Sequence, residues 1–460
     1  MPSNTKLARY KQHRMQTFVK NSDAYRFFNL LTGSEMLSTV EQVLPPHRER
    51  QFPPTETLSL FLAQAMNEDR SCQQAVNAAS IQRVVNGLSP CSTATGGYCQ
   101  ARQRLPTEMV ASLVRYTGEQ INRQVPCLWR WQGKRVYLID GTTVSLPDTA
   151  ANQAAYPQPS SQKPGLGFPL ARIVGVLCLS SGALLNAALG CYSGKGSGEQ
   201  TLLRTLLDSI TEGELVMGDA LYGTYFLLEA LWKKKVDGVF EQMGARAGVT
   251  DFRQGTRLGA KDHLIRLLKP THKPDWMTQE AYDKAEAYLT IRELKINGKT
   301  LITTLLSPQQ FPKHELKALY KQRWQVEVDL RHIKTTLGME TLSCKTPSMV
   351  EKEMWVYFLA YNLICLLMAQ SALLADVLPR QLSFKHTVQL WLAWRQTAST
   401  SADPRMLFAL IAQKTVGNRP DRIEPRAVKR RPKAFPWLTE SRQQAREKIR
   451  KQRHPKKLQA

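Results

Sequence analysis

Three carboxylates in this chain stand where an acidic group does chemistry rather than solvation. Asp140 follows the apolar run Val136-Tyr137-Leu138-Ile139 and precedes Gly141, and Asp219 follows Leu215-Val216-Met217-Gly218 and precedes Ala220. Each is expected at or near the carboxyl end of a buried strand, the edge where open α/β sheets bind ligands. A carboxylate there is costly unless it is paired, hydrogen-bonded or bound to a metal. For either aspartate alone, a cap or turn role is the alternative. The third acid is Glu327, in the pattern Tyr320-x2-Arg323-x3-Glu327-x6-Lys334. At helical spacing these four side chains fall within an arc of roughly 60°, with Arg331 beside it and Asp329 opposite. One face thus presents a single carboxylate among cations and a phenol; a surface helix with pairs such as Glu327–Arg331 is the alternative for the helix alone. Two strand aspartates and a helix glutamate are suitable oxygen ligands for two Mg²⁺ ions. Such a pair activates a water or 3′-hydroxyl and stabilises the leaving oxygen of a phosphoryl displacement. Arg323, Arg331 and Lys334 would hold flanking phosphates, and Tyr320 and Trp324 would add a hydroxyl contact and a stacking surface.

The elements that must position these groups are legible from periodicity. Residues 1 to about 130 read as helical, broken by Pro45-Pro46 and Pro53-Pro54. At Arg135 the period changes. RVYLIDGTTVSL (135–146) reads as a strand or hairpin, and 171–192 as two strands with a turn at Ser180–Gly182. A helix over 198–210, a short strand over 214–220, a helix over 224–235 and a strand over 236–242 complete an α/β alternation. Residues 243–303 break that rhythm with glycines, prolines, the alternating strand 287–296 and the hairpin signal Asn297-Gly298. They read as an inserted, mainly β subdomain. A long helix starts near Pro312 and carries Tyr320–Lys334, and two more are expected around 351–375 and 382–397. Met354–Ala375 is 22 residues without a formal charge, long enough to span a bilayer. It contains Tyr357, Tyr361, Asn362, Gln370 and Ser371, so a buried core helix is the expectation.

The spacing Tyr320, Arg323, Glu327, Lys334 matches a known pattern at all four positions. It resembles the signature of the DDE transposases of bacterial insertion-sequence family four, the group related to the Tn-five and Tn-ten transposases. YLIDGTT (137–143) and VMGDALYGTY (216–225) look like that family's first and second aspartate strands. CSTATGGYCQARQRLP (91–106) and RIEPRAVKRRPKAFPWLT (422–439) resemble its N- and C-terminal parts. The resemblance implies an α/β fold: an RNase H-like catalytic core with an inserted β-rich subdomain, flanked by helical N- and C-terminal regions. The implied division is a helical DNA-binding domain over 1–130 and a catalytic domain over 131–372, with the insertion at about 243–303. A helical assembly region with a basic tail follows over 373–460. By this likeness Asp140, Asp219 and Glu327 bind two Mg²⁺ ions, with Mn²⁺ able to substitute, and Tyr320, Arg323 and Lys334 contact phosphates of the transposon end. The implied partners are double-stranded DNA, as transposon ends and target, and a second copy of the chain on two paired ends. In some relatives a tryptophan of the insertion supports a flipped base. Trp276 is the one Trp within 243–303, with an ordinary packed or exposed role as the alternative.

The whole-chain numbers agree with a polyanionic partner. The chain has 460 residues, enough for about three domains, and 63 Lys plus Arg against 38 Asp plus Glu, a net charge of +25. That excess favours nucleic acid first and an anionic membrane second. The segment 421–460 alone holds 14 Lys or Arg against 4 Asp or Glu and is expected to contact a polyanion. The eight cysteines contain no CxxC pair, which argues against a zinc ribbon or a disulfide scaffold. The basic N-terminus has no apolar core behind it, so the expectation is a bacterial cytoplasmic, nucleoid-associated protein with no membrane partner. SGKGSGEQ (193–200) is not a GxxxxGK[ST] loop, reads as a hairpin-to-helix connection, and predicts no nucleotide cofactor. The competing functions are a structure-specific nuclease on the same core, a DNA-binding relative that no longer cuts, and a membrane-surface protein. The last explains the charge but not the acidic triad.

Overall fold

The apolar run that opens at Val136 forms β1 (Val136–Ser145). Val136, Leu138 and Val144 enter one apolar core, while Tyr137 and Ile139 enter a second on the other face of the strand. Successive side chains alternate across a strand, so a strand buried on both faces reads as a continuous apolar run. This is a computed structural model, and it describes Leu44 and residues 51–85, 87–194, 196–397, 403–416 and 438–452. The segment 1–43, most of the basic tail and most of 422–439 lie outside the described residues.

On one side β1 pairs antiparallel with β2 (Leu170–Cys178), which pairs with β3 (Leu184–Cys191) around the expected turn. On its other side β1 pairs in parallel with β4 (Leu215–Gly218), and β4 with β5 (Asp237–Glu241). Four more strands follow: β6 (Thr256–Gly259), β7 (Asp262–Leu268), β8 (Tyr288–Ile296) and β9 (Lys299–Thr303). They form an antiparallel meander whose last strand bonds to β5. The result is one mixed nine-stranded sheet in the order β3-β2-β1-β4-β5-β9-β8-β7-β6. The segment 243–303 is β-rich as expected, yet its strands continue the main sheet. The regular alternation read in β8 also fails at its centre, where Arg292 and Glu293 are both buried. Arg292 bonds Asp262 through two nitrogens at 2.8 and 2.6 Å, and Glu293 meets Gln242, Arg246 and His263 at 2.7, 3.0 and 3.1 Å. Buried charge is tolerated here because each group is paired.

Helices cover both faces. Before the sheet come α1 (Pro54–Met66), α2 (Cys72–Val85), α3 (Thr95–Arg104) and α4 (Thr107–Arg123); α5 (Glu199–Arg204) and α6 (Tyr225–Lys233) lie within it in sequence. The expected helix over 198–210 is shorter than predicted: α5 ends at Arg204 and a 3-10 turn occupies Leu207–Ser209. After the sheet come α7 (Lys313–Lys321), α8 (Gln325–Arg331), α9 (Pro347–Ala375), α10 (Phe384–Thr397), α11 (Pro404–Ala412) and α12 (Arg442–Gln452). The uncharged stretch is α9, whose most apolar window is 78% buried inside the protein. Its polar residues explain themselves. Asn362 donates to the carbonyls of Val114 (3.1 Å) and Leu184 (2.8 Å) and accepts from Leu184 N–H, and Tyr361 donates to the Gly182 carbonyl. α9 therefore stitches α4 to the β2–β3 hairpin. Residues of α1, α4, the sheet, α9 and α11 share one apolar core. The stretch 91–106 serves that junction: Arg102 stacks over Phe61 and Tyr98, and buried Lys352 donates to the carbonyls of Arg102 and Gln103.

Candidate active site

Strand pairing brings the two aspartates together. The parallel ladder joins Leu138 to Met217, and the same register carried two residues further sets Asp140 level with Asp219, just past the end of β4. Directly opposed residues of a parallel pair project to the same face. Asp140 shares that face with Leu138 and Val144, the side on which Val326, Leu330 and Ile333 pack. Asp140 itself lies in the middle of β1, a correction to the expected strand end. β1 runs on to Ser145 because β2 still pairs with it there, whereas β4 stops at Gly218. The end that matters is that of the parallel ladder. Asp140 Oδ1 accepts from Gly141 N–H at 2.8 Å, and Asp219 Oδ1 accepts from Leu221 N–H at 2.9 Å. Asp219 thus also does local turn work, whereas Asp140 bonds the next amide from within β1. Burial pushes the Asp140 carboxyl up to about 6; Asp219 and Glu199 push the same way, while the Gly141 amide and Arg323 oppose them.

The helix that brings the third acid is not one regular helix. α7 passes through a 3-10 turn (Gln322–Trp324) into α8, which ends in a π turn (His332–Thr336). The 3-10 turn over-winds and the π turn under-winds, so their phase errors have opposite sign. Asp329 does face away: it is buried and held by Arg380 through two bonds of 2.9 and 2.8 Å. On the near side, Arg323 joins the acids. Its Nη2 donates to Glu327 Oε1 at 2.8 Å and its Nη1 lies 4.0 Å from Asp140 Oδ2. Burial works against the charge on Arg323, but Glu327, Tyr320 and Asp140 outweigh it and raise its pKa. Tyr320 donates to the Gly218 carbonyl at 3.3 Å, one residue before Asp219. Burial, followed by Glu241, raises its phenol, and Asp219 adds to the effect.

Asp140, Arg323, Glu327 and Tyr320 are therefore assembled around the end of the β1–β4 ladder. The other expected contacts are not part of that network. The side chain of Lys334, in the π turn, makes no hydrogen bond or ion pair among the described residues, nor does that of exposed Arg331, so the Glu327–Arg331 pair does not form. Trp324 is 55% exposed, an open ring beside Arg323. Trp276 packs edge-on to Phe226 with Arg204 over its face, beside a cavity of about 590 Å³ between α5, α6 and 270–281. Among the described residues no three His, Cys, Asp or Glu side chains are drawn together as a ready metal cage, and Glu327 is bonded to Arg323. The donor set still suits a hard divalent ion: two carboxylates at one level on adjoining strands, one of them raised in pKa by burial and its neighbour, are oxygen ligands that a cation would relieve.

One acidic residue of this region escaped the sequence reading. Glu199, first residue of α5, rests against Gly141 and accepts from Tyr222 O–H at 3.1 Å. It lies near the end of the glycine-rich stretch 193–200, in a segment with neither strand period nor metal-ligand spacing.

Residues 131–363 match the family model described as Transposase DDE domain. The chain is 30% identical over 400 residues, 85% of its length and 88% of the relative's, to Transposase InsG for insertion sequence element IS4 of Escherichia coli (strain K12). It is 29% identical over 136 residues, 29% of its length and 44% of the relative's, to Putative transposase InsZ of the same organism. Among solved structures, the piggyBac transposase synaptic complex with hairpin DNA aligns over 88% of this chain and 87% of that one, with a TM-score of 0.42 and 11% identity.

Proposed function

The chain belongs to the DDE transposases of insertion-sequence family four, and from that membership we propose that Asp140, Asp219 and Glu327 are its catalytic triad. It is a transposase, an enzyme that binds its element's DNA ends and cuts and rejoins DNA, and its family depends on a divalent metal. The observation that carries the site assignment is the parallel β1–β4 register, Leu138 against Met217, which carried two residues on brings Asp140 beside Asp219, with Arg323 linking Asp140 to Glu327. The order β3-β2-β1-β4-β5, two antiparallel strands beside a parallel trio, supports an RNase H-like core into which β6–β9 are inserted. In this reading 1–130 is the DNA-binding region, 131–372 the catalytic domain and 373–460 the assembly region with its basic tail.

Two Mg²⁺ ions held by the three acids would activate the attacking oxygen and stabilise the leaving one. The chain's own groups do the positioning. Asp140 and Asp219 are fixed by strand register, and Glu327 is presented by a helix whose far side is anchored through Asp329. With the acids holding the metal, Arg323 would be free to bond a phosphate, a role its planar donors suit. Tyr320, Trp324, Arg331 and Lys334 lie along the same helix as backbone contacts, with Trp324 a stacking surface for a base or sugar. Two copies would act together on paired ends, without a nucleotide cofactor.

The test is strand mapping on a DNA fragment carrying the element's ends, with purified protein and Mg²⁺. Cleavage at the repeat boundary leaving 3′-hydroxyls, absent in Glu327→Gln although that variant still shifts the end DNA, is the expected result. Equal loss of binding and cutting would remove Glu327 from the metal site. Cuts without joining to a target would mark a structure-specific nuclease.

A further inference from the structure

We infer that α3 is the helix that reads the sequence of the transposon end, with its exposed face against base edges in the major groove of the duplex. The inference rests on the reading of 1–130 as the DNA-binding region and deepens it. α3 is held on one side and bare on the other. Tyr98 and Ala101 enter a small apolar core shared with α1 and α2, and Tyr98 donates its hydroxyl to Gln64 of α1 at 2.8 Å. Three side chains of α2 hold the connection that leads into α3. Gln73 donates to the carbonyl of Thr93, Ser80 to that of Cys91 and Arg83 to that of Ser89, at 2.9, 3.1 and 2.9 Å. At the other end, buried Lys352 of α9 donates to the carbonyls of Arg102 and Gln103. The helix is therefore fixed before any ligand arrives.

The opposite face is of another kind. At helical spacing Gly96, Gly97, Gln100, Gln103 and Arg104 fall within an arc of roughly 120°, and all five are exposed. The side chains of Gln100, Gln103 and Arg104 make no hydrogen bond or ion pair among the described residues. Glutamine presents a donor and an acceptor side by side, which fits the major-groove edge of adenine, and arginine fits that of guanine. Glycine is a poor helix former. Yet a Cβ at Gly96 would meet nothing within 4 Å, and one at Gly97 only the Phe52 ring at 3.7 Å, so the protein's own packing does not call for either glycine. Their missing side chains let a duplex lie close to the helix. Charge completes the match. Between Asp69 and Glu108 the sequence carries no carboxylate, against Arg70, Arg83, Arg102 and Arg104, so this surface meets a polyanion without repulsion. The face also holds no apolar side chain, and a protein partner would find little there to bury.

The experiment measures binding of the full-length protein, without divalent metal so that nothing is cut, to two fluorescent duplexes. One carries the element's end; the other has the same length and composition with that sequence scrambled. The readout is the preference, the Kd for the scrambled duplex over the Kd for the end, in the native chain and in Q100A/Q103A. The preference is expected to fall roughly 10- to 100-fold in the double variant. The fall should come through the end duplex alone, with the Kd for the scrambled duplex, its salt slope and the melting temperature unchanged. A preference that stays the same in the double variant, or an equal loss on both duplexes, overturns the inference and leaves 1–130 as the DNA-binding region. A native chain with no preference for the end duplex overturns the end-binding reading, and the inference with it. Should Q100A/Q103A melt below the native chain, Gly96→Leu decides, because the added side chain projects from the exposed face. Loss of preference at an undiminished melting temperature supports the inference, and an unchanged preference overturns it.

Discussion

At the scale of single residues, the site depends on what a side chain displaces as much as on what it donates. Gly141 is the clearest case, because its bare Cα is the surface on which the Glu199 carboxylate rests. Gly141→Ala is expected to lower stability by about 1–3 kcal/mol, the usual cost of overpacking. Shortening the opposing side chain in the double variant with Glu199→Ala should recover much of it; strictly additive losses in denaturant melts would mean that the two do not meet. Lys334 makes a different kind of prediction. Its side chain makes no hydrogen bond or ion pair among the described residues, so Lys334→Ala should leave folding unchanged while weakening end binding. The slope of log affinity against log salt should flatten by roughly one phosphate's worth. A binding curve whose salt slope is untouched would exclude a phosphate contact.

At the scale of elements, the catalytic helix is held by its back. Asp329 is buried and bonded twice to Arg380, which also reaches the carbonyls of Cys178 and Leu179 on the β2–β3 turn. Removing one partner of such a pair strands a buried charge. Asp329→Ala should therefore cost about 3–5 kcal/mol, and loss of cleavage should track loss of helix anchorage rather than loss of metal affinity at saturating ion. Chemical denaturation of the single and paired variants measures the coupling, and a cost under about 1 kcal/mol would show that the pair is dispensable. The far end of this helix is set by Gly338, whose φ of 83° suits glycine; Arg70 donates to its carbonyl at 2.9 Å. An N-terminal residue thus closes the element that carries Glu327.

At the scale of the whole molecule, the shared core links the N-terminal helices to the sheet through α9. Glu56 on α1 reports on that core. Burial pushes its carboxyl up to about 7, with Arg83 opposing from 3.9 Å. The folded value exceeds the unfolded one, so the protein is favoured below the unfolded value of 4.5 and loses that advantage as pH rises through 7. Glu56→Gln should match the native chain near the low end of that window and exceed it above pH 7 by about 2–3 kcal/mol. Thermal melts across the window check it, and a gain that does not grow with pH would refute the buried-acid account.

Local chemistry determined much of this protein from sequence alone. The two aspartate strands, the β2–β3 hairpin, the buried α9 and the helix bearing Tyr320, Arg323 and Glu327 all follow from apolar period, turn residues and charge spacing, which act over a few neighbours in the chain. Those signals do not say which strands adjoin. That Asp140 stands level with Asp219 is a matter of parallel register between segments some eighty residues apart. The burial of Arg292 and Glu293 depends on partners from other strands and loops. The approach of Glu199 to Gly141 is visible only in the packing, because a contact between a bare Cα and a distant carboxylate leaves no periodic trace in either segment.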